Sequence, residues 1–241
     1  KADPGNFTCA AEGDSWFHYP VVKPDDTIEI LLDRKVPIWT IAGAADELQP
    51  MVDIPAYKNA IRRAKASVLL FSGGGNDMVG NGDLAKRLEP FQQGMKPEDM
   101  LNSKFDNGIK GAIRLYKKLF ETMKKEFEDV RVICHGYDYA LPMKEKSKGK
   151  WLYPYLKDKG CPNEEFMWQV VREMVDKFNA DLKQLDSNYN KVRYVDLRNT
   201  IVPKNTAYKD ALAHWHDEIH PLSSGYLKLD TTMETPRAAV V

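Results

Sequence analysis

The chain has 241 residues, 43% of them hydrophobic, enough for one full-sized α/β domain with a real core. Lysine plus arginine and aspartate plus glutamate balance at 35 each, so no global charge draws the chain to nucleic acid or an anionic membrane. No apolar run is long enough to span a bilayer, and three cysteines without a CxxC pair argue against a disulfide framework or a zinc site. The start, KADPGNFT, lacks the apolar core of a signal peptide, which favours a reducing, cytoplasmic compartment; a periplasmic or secreted one stays open if a leader was removed.

The first short apolar run, FTCAA (7–11), reads as a strand. PIWTIA (37–42) and SVLLFS (67–72) follow with the same character. Residues 90–107, with Pro90, Gly94, Pro97 and Gly108 around them, read as an insertion. A helix comes next, because Ile109, Ile113, Tyr116, Phe120, Met123 and Phe127 recur in steps of three and four. VRVICH (130–135) is the fourth strand. A second insertion, 136–162, is rich in aromatics and lysine, with Lys144, Lys146, Lys148 and Lys150 in alternation. Met167, Val171, Met174, Phe178, Leu182 and Leu185 mark a second amphipathic helix, and VRYVDL (192–197) is the fifth strand. The apolar runs are continuous rather than alternating, as in strands covered on both faces. The helical stripes have too few repeats for a coiled coil and read as packing onto the sheet. This order predicts an α/β fold, a parallel, doubly wound sheet in a single domain over residues 1–241.

In such sheets ligands bind beyond the carboxyl ends of the strands. Gly13-Asp14-Ser15-Trp16 follows the first strand, Ala42-Gly43-Ala44 the second and Gly73–Asp77 the third; Asp217-Glu218-Ile219-His220-Pro221 comes after the fifth. A serine at a strand-to-helix turn lies near a helix N-terminus, where a developing negative charge is favoured. Its hydroxyl needs a base, and His220 is the candidate. Asp217, three residues earlier, can accept the Nδ1–H of His220 and set its tautomer. The backbone N–H groups of Ser15 and Gly43 and the side-chain amide of Asn76 are available as donors to an oxyanion.

Gly13-Asp14-Ser15, the glycine after the second strand, Gly-x-Asn-Asp at Gly74–Asp77, and Asp217-x-x-His220-Pro221 resemble the four blocks of the SGNH (GDSL) hydrolases in order and approximate spacing. The resemblance covers about residues 7–230. It implies a three-layer α/β/α, flavodoxin-like fold with a five-stranded parallel sheet ordered 2-1-3-4-5. It also implies an esterase or lipase that uses no metal or other cofactor and forms a covalent acyl-serine. In that family pattern Ser15 is the nucleophile, His220 the base and Asp217 its orienting partner; Ser15 N–H, Gly43 N–H and Asn76 form the oxyanion hole. HGYDY (His135–Tyr139) also looks like a feature of some bacterial members. The second block departs from the common Gly-Asp, reading Gly43-Ala44-Ala45-Asp46. Alignment on the aspartate would put Ala45 in the place of Gly43.

Trp16, His18 and Tyr19 follow the nucleophile directly and are candidate pocket walls, as are Trp151, Trp215 and His216. Asp77 reads as a turn-stabilising acceptor. The lysine-rich loop is either a solvated segment or a cover over the site. His214, His216, Asp217 and His220 are dense enough to suggest a metal, but without HExxH they read as polar residues beside the catalytic loop. Gly75 and Gly80 have the separation of a phosphate loop, but Asn81 stands where lysine is needed. The expected activity is hydrolysis of small-molecule carboxylic esters, with short acyl or acetyl groups. A thioesterase or lysophospholipase using the same machinery, and a non-catalytic binding protein, are the rival readings. Oligomeric state is left open.

Overall fold

The structure, a computed structural model, describes residues 8–21, 23–145 and 151–238. Five strands form one sheet: β1 (Cys9–Glu12), β2 (Ile38–Thr40), β3 (Val68–Phe71), β4 (Arg131–His135) and β5 (Val192–Val195). Every neighbouring pair is parallel, and the order is β2-β1-β3-β4-β5, as expected. Cys9 pairs with both Ile38 and Val68, Val68 with Arg131, and Val132 with Val192. Each strand lies in its expected apolar run, except that β1 continues to Glu12; Phe7 lies outside the described residues.

Helices α1 (Thr27–Asp33), α2 (Leu48–Asp53) and α3 (Ala56–Ala64) connect the first three strands. Between β3 and β4 come α4 (Gly75–Val79), α5 (Leu84–Arg87) and α6 (Ser103–Glu126). Then α7 (Tyr153–Asp158) and α8 (Glu164–Asp186) precede β5, and α9 (Tyr208–Ala211) and α10 (Ser223–Ala238) follow it. The stretch 90–107 is irregular apart from a 3-10 turn at Pro97–Met100, and from Ser103 it is already the first turn of α6. Asn102 starts that helix: its side-chain oxygen accepts from the N–H groups of Lys104 (3.0 Å) and Phe105 (3.3 Å). In the stretch 136–162, Lys146, Lys148 and Lys150 lie outside the described residues.

Successive strand residues point to opposite faces. Ala10, Leu69, Val132 and Tyr194 pack into a core with α2, α3, α6 and α8. Cys9, Ala11, Val68, Leu70 and Ile133 pack into a second core with α1 and α10. Both faces of the sheet are therefore covered, which is why its strands read as unbroken apolar runs. All six expected apolar positions of α8 are buried. On α6, Ile109, Tyr116, Phe120 and Met123 are buried, while Ile113 and Phe127 are half-buried at its edges. Cys9, Cys134 and Cys161 are buried, and none is in a disulfide among the described residues. Among the described residues no helix is long and apolar enough to cross a membrane.

β1 ends on a buried acid. Glu12 is 4% exposed, and burial, helped by the negative charge of Asp46 and opposed by the N–H of Tyr57 in the first turn of α3, pushes its carboxyl up to about 8. In the unfolded chain the same group titrates near 4.5. Between those values the folded chain keeps a proton that the unfolded chain has lost, so this group's contribution to stability falls as pH rises. Glu12→Gln removes the dependence. Urea midpoints at about pH 5 and about pH 8 should show the variant gaining on the wild type as pH rises. A gap that stays constant or narrows would contradict the assignment.

Candidate active site

The site is built where β1 gives way to Gly13-Asp14-Ser15. A Cβ on Gly13 would lie 2.8 Å from Cβ of Ser72 and 2.9 Å from its carbonyl oxygen, so the strand end passes the exit of β3 only as glycine. Asp14 is 2% exposed. Its carboxylate accepts from the Trp16 N–H (3.1 Å), the Ser72 hydroxyl (3.0 Å) and the Tyr137 hydroxyl. The Tyr137 oxygen in turn accepts the N–H of Gly75 at 2.9 Å. The segments leaving β1, β3 and β4 are thus tied to one carboxylate. Ser15 sits on this anchored turn with Oγ 2.8 Å from Nε2 of His220. Its backbone N–H has no partner among the described residues.

His220 and Asp217 come from the loop between α9 and α10, closed by the bridge between Trp215 and Pro221. Both carboxylate oxygens of Asp217 lie 2.9 Å from Nδ1 of His220. The same carboxylate accepts from the N–H groups of Ile219 (3.0 Å) and His220 (2.8 Å). Burial disfavours the charge on Asp217, but the His220 side chain and these N–H groups outweigh it and hold the carboxyl below its ordinary value. An ionised Asp217 takes the Nδ1–H, which leaves the lone pair of Nε2 facing the serine hydroxyl. The Trp16 indole N–H, bonded to the Ile219 carbonyl at 3.0 Å, locks this loop to the serine turn.

The third block brings the Asn76 side chain to the same cavity as Ser15. Gly74 turns the chain from β3 into α4 with φ +108°, and a Cβ there would lie 2.8 Å from the Phe178 ring. Asn76 donates one amide hydrogen to the Asp46 carbonyl at 3.0 Å and keeps the other. Asp77 is a hydrogen-bond acceptor as expected, but of the N–H of Leu48 at the start of α2 (3.0 Å) rather than within its own turn.

Gly43 departs from expectation. Its N–H, expected to face an oxyanion, donates to the Gly13 carbonyl at 2.9 Å. The reason is continuity: Ile41 already donates to Ala11, and the β2 backbone keeps its parallel pairing with β1 past the end of the strand. Ala45, the alternative donor, is exposed at φ +65°, and its N–H has no partner among the described residues. Neither residue lines the cavity beside Ser15.

The other expected pocket residues divide. Trp16 lines the cavity. Tyr19 sets its ring edge-on to His220 (4.7 Å) and to His216 (5.7 Å), and Trp151 stands edge-on to His220 at 5.7 Å. Burial and the neighbouring Asp217 push the Tyr19 hydroxyl up to about 12. His18 and His216 are exposed. Trp215 is not a pocket wall: it is fully buried in the core shared with α1 and α10. Trp215 follows the 3-10 turn Leu212–His214, and an indole gains much from such burial.

Sequence reasoning gave no role to Ser72, Tyr137 or Glu218, although Tyr137 lies in the HGYDY segment that it singled out. Glu218 is fully buried beside Asp217, and its carboxylate accepts from the N–H groups of Met143 (3.2 Å), Trp151 (2.9 Å), Leu152 (3.0 Å) and Tyr153 (2.5 Å). It pins the segment that carries Trp151 to the histidine loop. Burial pushes its carboxyl up, against the pull of these four donors. Its position inside DEIHP was the only available signal. Tyr137 offers a direct test of the anchoring. Tyr137→Phe leaves the Gly75 N–H and one Asp14 oxygen without their partner, so stability should fall by about 1–3 kcal/mol in urea denaturation. An unchanged midpoint would show that Asp14 does not need this bond.

No protein-family model matches the sequence, and no curated protein matches it. Solved structures do share its shape. A lipase from a goat rumen metagenome superposes with a TM-score of 0.61 at 14% identity, covering 95% of this chain and 96% of that one. A GDSL-like lipase from Bacteroides thetaiotaomicron gives 0.59 at 11% identity, with 97% and 88% covered. An acetylxylan esterase from Geobacillus stearothermophilus gives 0.54 at 13% identity, with 96% and 94% covered. Together with the 2-1-3-4-5 parallel sheet, these likenesses show that the chain has the SGNH (GDSL) hydrolase fold.

Proposed function

We propose that the chain is a serine ester hydrolase of the SGNH type, cleaving small-molecule carboxylic esters through an acyl-Ser15 intermediate. The observation that carries this reading is the buried alignment of Ser15 Oγ, His220 Nε2 and Asp217, with successive contacts of 2.8 and 2.9 Å beside a cavity. Similarity in shape to lipases and an acetylxylan esterase supports the same reading. A non-catalytic binding protein has no use for a serine hydroxyl aimed at a histidine that a carboxylate orients.

The chemistry follows from the arrangement. Oγ of Ser15 attacks the ester carbonyl carbon while its proton passes to Nε2 of His220. The carbonyl electron pair moves to oxygen, and the Ser15 N–H and the second amide hydrogen of Asn76 receive the oxyanion. With the Gly43 N–H engaged by Gly13, these two donors carry that task. The imidazolium, stabilised by Asp217, gives its proton to the departing alcohol oxygen as the C–O bond breaks. Water then attacks the carbonyl carbon of acyl-Ser15, losing a proton to Nε2 of His220, and the imidazolium returns that proton to Oγ as the bond from Oγ to the acyl carbon breaks and the acid leaves.

On p-nitrophenyl butyrate, Ser15→Ala and His220→Ala should each lower kcat by on the order of 10⁴-fold or more. Asp217→Ala should cost less than either, and Asn76→Ala about 10²–10³-fold. A Ser15→Ala protein as active as wild type would overturn the proposal.

A further inference from the structure

The cavity that opens beside Ser15 is bounded by α4, α6 and α8. Of its polar side chains, Asp14, Ser15 and Tyr137 belong to the serine turn and the group bonded to it, with Asp14 and Tyr137 bonded to each other, and Asn76 bonds the Asp46 carbonyl. Apart from Asn76 at the start of α4, the helices present only apolar groups to it, among them Met78 and Val79 of α4, Phe105 and Ile109 of α6, and Val171 and Phe178 of α8. A sugar or glycerol hydroxyl placed among those helices would lose its water hydrogen bonds and find none in return, weakening binding by about tenfold or more per hydroxyl. A methylene placed there gains instead.

We infer that this cavity receives the acyl part of the ester as a straight, saturated chain of several carbons, so that the preferred substrates are medium-chain esters rather than acetates. The inference rests on the ester-hydrolase reading and deepens it by naming the acyl class. Each methylene that enters raises kcat/KM by about fourfold, until the chain has filled the cavity. Val171, 1% exposed, lines the cavity from α8, so a larger side chain there takes up room that the acyl chain would fill and a smaller one frees it.

The test is kcat/KM on p-nitrophenyl acetate, butyrate, hexanoate, octanoate and laurate, for the wild type, Val171→Phe and Val171→Ala. The wild type should rise by about fourfold per methylene from acetate and then break off at a defined length. Val171→Phe should lower the hexanoate-to-acetate ratio at least tenfold, and Val171→Ala should move the break to longer chains. The ratio is the readout, so a partly unfolded variant does not distort it. A wild type that prefers acetate or ignores chain length, with acetate hydrolysis still lost in Ser15→Ala, would overturn the acyl pocket and leave the esterase standing. A ratio identical in wild type and Val171→Phe would overturn it too. No hydrolysis of any ester, acetate included, would overturn the enzyme reading and this inference with it.

Discussion

The Asp14 carboxylate accepts hydrogen bonds from the exits of three strands: Trp16 after β1, Ser72 after β3 and Tyr137 after β4. A buried carboxylate is unfavourable unless donors or a cation compensate it. Among the described residues its compensation comes from these donors, and charge-assisted bonds of this kind are stronger than neutral ones. The requirement runs in both directions. Asp14 is tolerable only if the loops close around it, and once they close, Ser15 has a fixed direction. The serine is aimed by the residue before it.

The same device recurs around the site. Asp217 is held by two backbone N–H groups and the His220 ring, Glu218 by four backbone N–H groups, and Asp77 by the N–H of Leu48. Each acid fastens one loop at the carboxyl edge of the sheet. The sheet itself supplies a rigid floor, packed on both faces, and loops on such a floor can carry function without drifting. Ser15, His220 and Asp217 are few, and the loops that carry them are fastened by Asp14, Asp217 and Glu218.

Much of this was legible from one sequence because the signals were local. A strand buried on both faces reads as an apolar run, and a helix of six or seven turns, such as α6 or α8, shows its stripe. Short helices such as α4 and α9 carry too few residues for a period to emerge. The blocks around Ser15, Asn76 and His220 were legible because turns and a neighbouring Asp–His pair are encoded within a few residues. Partners far apart in sequence were not. Nothing near Gly43 announces that Gly13 will take its N–H, and nothing near Glu218 announces four donors some 65 to 75 residues earlier. Trp215 was misjudged for a related reason: its two histidine neighbours suggested a polar loop, while the indole packs with residues of α1 and α10 far away in sequence.

The central claim is that Ser15 is an activated nucleophile. Covalent labelling tests it without knowledge of the natural substrate. The protein would be treated with a fluorophosphonate, and the adduct located by intact mass and peptide mapping. The account predicts one adduct per chain, on Ser15, that forms far more slowly when His220 is replaced by alanine. A folded protein that takes no label, or takes it on another residue, would contradict the account.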